Sequence, residues 1–144
     1  MALPFILPAS SPFKAYHGSA FLQPLRYAEK DGSDIVAKDI TGYKFRSHIR
    51  DSYLSDTILI NMHSDTGEFV ITDAGDGSFD MKLTLAQVKS LEVPLKTAKV
   101  TDVPYKDFVL DVEAIPPPGE DDSFQFLKGV LRVYGEVTRE EEED

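Results

Sequence analysis

The chain has 144 residues, 42% hydrophobic and 28% charged, the proportions of one folded domain rather than of a disordered segment or two independent cores. It contains no cysteine and no tryptophan. The lack of cysteine excludes a disulfide framework, a thiolate zinc site and a cysteine nucleophile together, and fits folding in a reducing compartment. The net charge of −10 is opposite in sign to that of a module that neutralises phosphates, so nucleic acid is not expected as the partner.

In chain order, residues 1–8 are apolar, but they lack a basic start, and Pro4 and Pro8 interrupt the helical core that a secretory signal needs. No run approaches the roughly 18–20 apolar residues of a membrane span, so no membrane partner is expected. Leu3, Phe5, Ile6, Leu7 and Phe13 make residues 1–16 read as an extended arm to be covered by another chain, the other reading being a disordered end. Residues 20–27 read as a first strand in which Pro24 removes a backbone donor, which predicts a sheet edge or a bulge. Lys30-Asp31-Gly32-Ser33 is a hairpin signal, and 35–37 a short extended piece.

The clearest element follows the turn at Gly42. Tyr43, Phe45, Ser47 and Ile49 alternate with Lys44, Arg46, His48 and Arg50, which predicts a half-buried strand with a basic outer face. A strand over 56–62 with Ile58, Ile60 and Met62 on one face comes next, then a turn at 65–67 and a strand over 68–72 through Phe69 and Ile71. Residues 73–77 are the densest turn signal. Phe79, Met81, Leu83 and Leu85 then alternate with Asp80, Lys82 and Thr84 as a second half-buried strand.

Residues 86–91 predict one helical turn, with Thr84 as its cap and Val88 and Leu91 facing inward. Residues 92–104 read as a connection. In 105–114, Phe108, Leu110 and Val112 point in and Asp107, Asp111 and Glu113 out. Pro116-Pro117-Pro118 begins a solvated loop, and 124–137 is a last strand with room to bend at Gly129. About seven or eight strands and almost no helix predict an all-β antiparallel sandwich or barrel.

Candidate chemistry is sparse. His17, His48 and His63 have no metal-ligand spacing. His63-Ser64-Asp65 contains the residue types of a catalytic triad, but adjacent residues on a turn do not reach that geometry. Asp73, Asp76 and Asp80 lack the alternate oxygen ligands of a calcium loop, and turn chemistry explains them as well. Catalytic residues, a metal site and a cofactor are therefore not expected. The stripe Lys44, Arg46, His48 and Arg50 has two readings. It is either a solvated face paired with Asp107, Asp111 or Glu113 across the sheet, or a docking surface for an acidic neighbour such as residues 140–144 of another copy.

The order of the motifs carries a resemblance. "DITGYKFRSHIRDS", "HSDTGEFVI", "GDGSFDMKLTLAQVKSL", "YKDFVLDVEAI" and "FLKGVLRVYGEVTR" together resemble small tail proteins of tailed bacteriophages, similar to the N-terminal immunoglobulin-like domain of the siphophage upper baseplate protein. The matching positions are Asp39, Thr41, Gly42, Phe45, Arg46, Ile49 and Arg50, then Tyr105, Asp107 and Asp111, and finally Gly129, Val133, Glu136, Val137, Thr138 and Arg139.

The resemblance implies an immunoglobulin-like antiparallel β-sandwich over residues 17–139, between the arm 1–16 and an acidic tail 140–144. It also implies a free-standing structural virion protein of the tail or baseplate, or an adaptor, without enzymatic activity. The partners expected are other virion proteins and further copies of the chain, and the residues themselves offer the arm Leu3–Phe13, the basic stripe and the acidic tail as the interaction surface. The alternative is a carbohydrate- or receptor-binding sandwich module.

Overall fold

A computed structural model describes residues 3–7, 12–93, 104–119 and 124–135. Ten strands are described: β1 Leu3–Leu7, β2 Phe13–Tyr16, β3 Phe21–Asp31, β4 Asp34–Ala37, β5 Lys44–Arg50, β6 Ile60–His63, β7 Phe69–Asp73, β8 Ser78–Leu83, β9 Tyr105–Ile115 and β10 Phe124–Tyr134. Short 3-10 turns at Ser64–Thr66 and Ala74–Asp76 and one helix, α1 Leu85–Ser90, complete the described elements. The first sheet runs β1-β3-β8-β7, with β4 also paired to β3, and the second runs β2-β10-β9-β5-β6. Two sheets face each other across one core: the fold is an all-β sandwich with the strand order of an immunoglobulin-type domain.

The core is built from the alternation read in the sequence. Tyr43 just before β5 and Phe45, Ser47 and Ile49 within it are buried, as are Phe79, Met81 and Leu83 of β8 and Phe108, Leu110 and Val112 of β9. Phe45 from the second sheet and Phe79 from the first stack with ring centroids 4.0 Å apart and planes 9° apart. This stack bridges the two sheets of a domain without cysteine. The helix is set by its cap: Gln87 N–H donates to Thr84 Oγ1 and Thr84 N–H to Gln87 Oε1, a reciprocal capping box. It turns Val88 and Leu91 into the core.

Pro24 lies where β3 pairs with β8 alone, because β1 pairs only with 26–30. The missing N–H therefore faces the side of β3 that β1 does not cover, and the β3–β8 register runs through Pro24 without a bulge. Gly32 takes φ +64° in the two-residue loop of the β3–β4 hairpin, where a Cβ would be disfavoured.

Several expectations are corrected. The strand expected over 56–62 begins at Ile60, and Ile58 is exposed. Ile71 and Leu85 are exposed too, Ile71 because β7 is an edge and Leu85 because the chain has already turned into α1. The sandwich is not wholly antiparallel, since β2 runs parallel to β10. Residues 1–16 were expected to stand apart as an arm. Residues 3–7 and 13–16 are instead strands of the chain's own two sheets. Phe13, expected to meet another chain, is 3% exposed and part of this core. The side chains of Leu3, Phe5, Ile6 and Leu7 lie outside the described ones, as do residues 94–103 and the acidic run 140–144.

One buried group breaks the apolar pattern. Ser47 is 1% exposed and its hydroxyl finds no hydrogen-bond partner among the described residues. Ser47→Ala removes an orphaned polar group at little cost in volume, and is expected to raise stability by about 1 kcal/mol. A lower melting temperature in the variant would show that the hydroxyl is bonded after all.

Candidate functional site

The outer face of the second sheet gathers the sequence-predicted stripe with residues that the sequence reading did not bring together. β5 is launched by a turn in which Thr41 donates its N–H (2.9 Å) and its hydroxyl (2.6 Å) to Asp39 Oδ1. The same two donors hold the Asp39 carboxyl below the usual range. From there Lys44, Arg46, His48 and Arg50 point outward, and each has a local contact.

Lys44 pairs with Asp65 at 2.9 Å, which keeps that carboxyl low. Arg46 pairs with Glu113 of the neighbouring strand. Arg50 donates to the Ser55 carbonyl (2.9 Å) and lies 3.5 Å from His48 Nδ1. The cross-strand reading of the stripe therefore holds for Arg46 with Glu113. The loop after β5 folds back so that Tyr53 donates to the Gly129 carbonyl at 3.2 Å. Burial and the Asp111 charge both push the Tyr53 phenol up. Tyr53, His48, Arg50, Asp111 and Lys128 surround a depression of about 170 Å³.

Farther along β10, the registers align two rungs across three strands. Tyr134 is in register with Tyr16 of β2 and Tyr105 of β9, and Arg132 with Lys14 and Asp107. Tyr16 and Tyr134 stack at 5.5 Å, and Tyr105 leans on Tyr134 at 5.7 Å. The Arg132 guanidinium lies 4.1 Å from the centre of the Tyr105 ring and grips Asp107 through Nε (2.8 Å) and Nη2 (3.1 Å). Asp107 thereby pushes the guanidinium pKa still higher.

Tyr16 is 55% and Tyr105 47% exposed. The rung was missed because period-2 reading shows which face a residue takes but not its register. Tyr16, Tyr105 and Tyr134 each sit two residues from an outward position, yet nothing local to them says that they meet.

The other sequence candidates have structural roles. His63 caps the turn after β6, its Nδ1 accepting the Asp65 N–H at 2.9 Å. Asp73 caps the turn at 74–76 by accepting the Asp76 N–H, while Asp76 pairs with Arg26 at 3.1 Å. Among the described residues no group of three or more His, Asp or Glu side chains is placed to hold a metal ion.

On the opposite sheet a cavity of about 350 Å³ is lined by Phe21, Leu22, Leu83, Gln87 and Glu68. Glu68, 9% exposed, accepts from the Thr66 hydroxyl, from His63 N–H at 3.1 Å and from Gln87 Nε2 at 3.2 Å, tying the turn after β6 to α1. Burial pushes this carboxyl up, but those donors outweigh burial and hold it below the ordinary glutamate value.

A carboxylate with a lowered native pKa contributes fully above its unfolded value, near 4.5, and loses that contribution as the pH falls through the native one. Glu68→Gln is expected to cost about 1–3 kcal/mol at neutral pH, because a buried charge-assisted cluster loses its acceptor. It is also expected to flatten the loss of stability below pH 4.5. Denaturant melts of both proteins across the acid range would check this, and parallel curves would show that Glu68 is not linked to folding.

No protein family and no curated protein matches the sequence. Among solved structures the chain is similar to toxic shock syndrome toxin-1, a bacterial superantigen, at 12% identity and a TM-score of 0.40, over 94% of this chain and 100% of that one. It is also similar to the three N-terminal domains of the highly immunogenic outer capsid protein of bacteriophage RB49, at 16% identity and a TM-score of 0.27. That match covers 96% of this chain and 41% of the other. These are weak likenesses of fold and carry no assignment of function. Among the described residues no helix is long and apolar enough to cross a membrane.

Proposed function

We propose that this protein is a structural component of a tailed-phage virion, in the tail or baseplate or as an adaptor. In this reading it works by protein–protein contact and not by catalysis. The observation that supports this best is the outer face of the second sheet, where the Tyr16–Tyr134–Tyr105 rung and Arg132 are held rigidly on three paired strands. Tyrosine and arginine on a pre-ordered surface are the residue types that dominate protein interfaces, since they bury large area with little loss of rotamer freedom. The resemblance of the motif order to phage tail proteins points to the same class.

The partners in this reading are other virion proteins and further copies of the chain, with no nucleic acid and no membrane. The glycan-binding alternative is less well supported by this face. A sugar stacks on an open ring, whereas Tyr134 is stacked on Tyr16, and Tyr105 is flanked by Tyr134 and Arg132. Immunogold labelling of particles of the phage that encodes the chain would test the proposal, with label expected at the tail or its tip. Particles that carry no label, while the protein is abundant in the lysate, would overturn it.

A further inference from the structure

We infer that the outer face of the second sheet receives the acidic run Glu140–Asp144 of a second copy of this chain, laid extended along β10. The inference rests on the assembly reading above and names the partner of that face. The protein carries a net charge of −10, yet this face presents Lys14, Lys44, Arg46, Arg50, Lys128 and Arg132 against Asp65, Asp107, Asp111 and Glu113. Lys14 and Lys128 have no ion-pair partner among the described residues, although Lys128 lies across from Asp111, whereas Lys44, Arg46 and Arg132 are paired.

The spacing also agrees. Arg132 and Lys128 stand at the ends of three successive outward positions of β10, about 13 Å apart at the rise of a strand. Five consecutive acidic residues in extended form span the same length and turn Glu140, Glu142 and Asp144 to one side. The tyrosine rung adjoins Arg132 on the same face.

The direction in which β10 ends favours a second copy as the source of the run. Gly135 N–H donates to the Pro104 carbonyl at 2.7 Å, which continues the strand direction one residue past Tyr134. That direction leads away from the chain's own Lys14 and Lys128.

The test is a titration of a synthetic peptide of residues 136–144 into the full-length protein whose own run is neutralised (Glu140→Gln to Glu143→Gln, with Asp144→Asn). It is followed through the backbone amide resonances of Lys14, Tyr16, Arg132 and Tyr134. Saturable shifts confined to this face are expected, with affinity at least tenfold weaker for the Gln/Asn form of the peptide. The same loss is expected in Lys14→Glu/Lys128→Glu, while Lys82→Glu, on the other sheet, keeps the wild-type affinity.

No shift at these residues up to millimolar peptide would overturn the inference. So would equal binding of the neutral peptide, or equal losses in Lys82→Glu and the double variant. Labelled particles with a failed titration would remove only this contact. Unlabelled particles would remove the virion reading and leave the titration to decide the contact by itself.

Discussion

Gly77→Ala is expected to destabilise the domain by about 3 kcal/mol or more, through left-handed strain together with displaced backbone hydrogen bonds. Gly77 closes the turn at 74–76 with φ +72°. A Cβ built there would sit 2.3 Å from the Tyr27 carbonyl oxygen and 2.7 Å from that of Lys38. Neither obstacle is a side chain that can swing away. Both carbonyls belong to the junction where β3 passes from pairing with β8 to pairing with β4, marked by Tyr27 N–H to Gly77 O at 2.8 Å and Lys38 N–H to Tyr27 O at 3.1 Å. Making room for a methyl group therefore separates backbone from backbone at that junction. Urea unfolding of the variant measures the loss, and a change below about 1 kcal/mol, the cost of φ alone, would show that the junction yields without breaking.

Phe79→Ala is expected to be of similar size, about 3–5 kcal/mol for deleting a buried aromatic ring. Phe79 is fully buried, stacks on Phe45 across the sheets and leans on Phe69 at 6.1 Å between ring centres. Deleting the ring opens a void in the middle of the contact between the sheets, and the strands on either side are too well paired to collapse into it. With total stabilities of about 5–15 kcal/mol for domains of this kind, the variant would approach the limit of folding. Phe79→Leu, which keeps most of the volume, should lose less than half as much in the same denaturant series. Equal losses would mean that filling space matters less here than the aromatic contact itself.

Both of these positions are legible in part in the sequence alone. Phe79 stands in a stretch where apolar and polar residues alternate without error, and Gly77 in the densest cluster of turn residues. Local signals of this kind also placed β5, the hairpin at Gly32 and the Thr84 cap, because each depends on residues within a few positions of one another. What escaped depends on partners far away in sequence. Ile58 and Ile71 continue an alternating pattern, but one lies before the pairing begins and the other on an edge strand. Residues 3–7 and 13–16 look like unpaired apolar chain until β3 and β10 are seen beside them. The tyrosine rung takes its members from strands about ninety and thirty residues apart, and register over such distances is not written in any local period.

The way the chain enters the sandwich has a mechanical consequence. β1 joins the first sheet and β2 the second, and β2 lies parallel to β10 with Phe13 beside Leu131 and Tyr16 beside Tyr134. Tension applied between the segment before β2 and the segment after β10 runs along both strands, in opposite directions. It loads all the hydrogen bonds of that pair in shear, so they must fail together rather than one after another as in a zipper. Pulled between those two segments, the pair of strands would hold up to a sharp threshold and then part in one step.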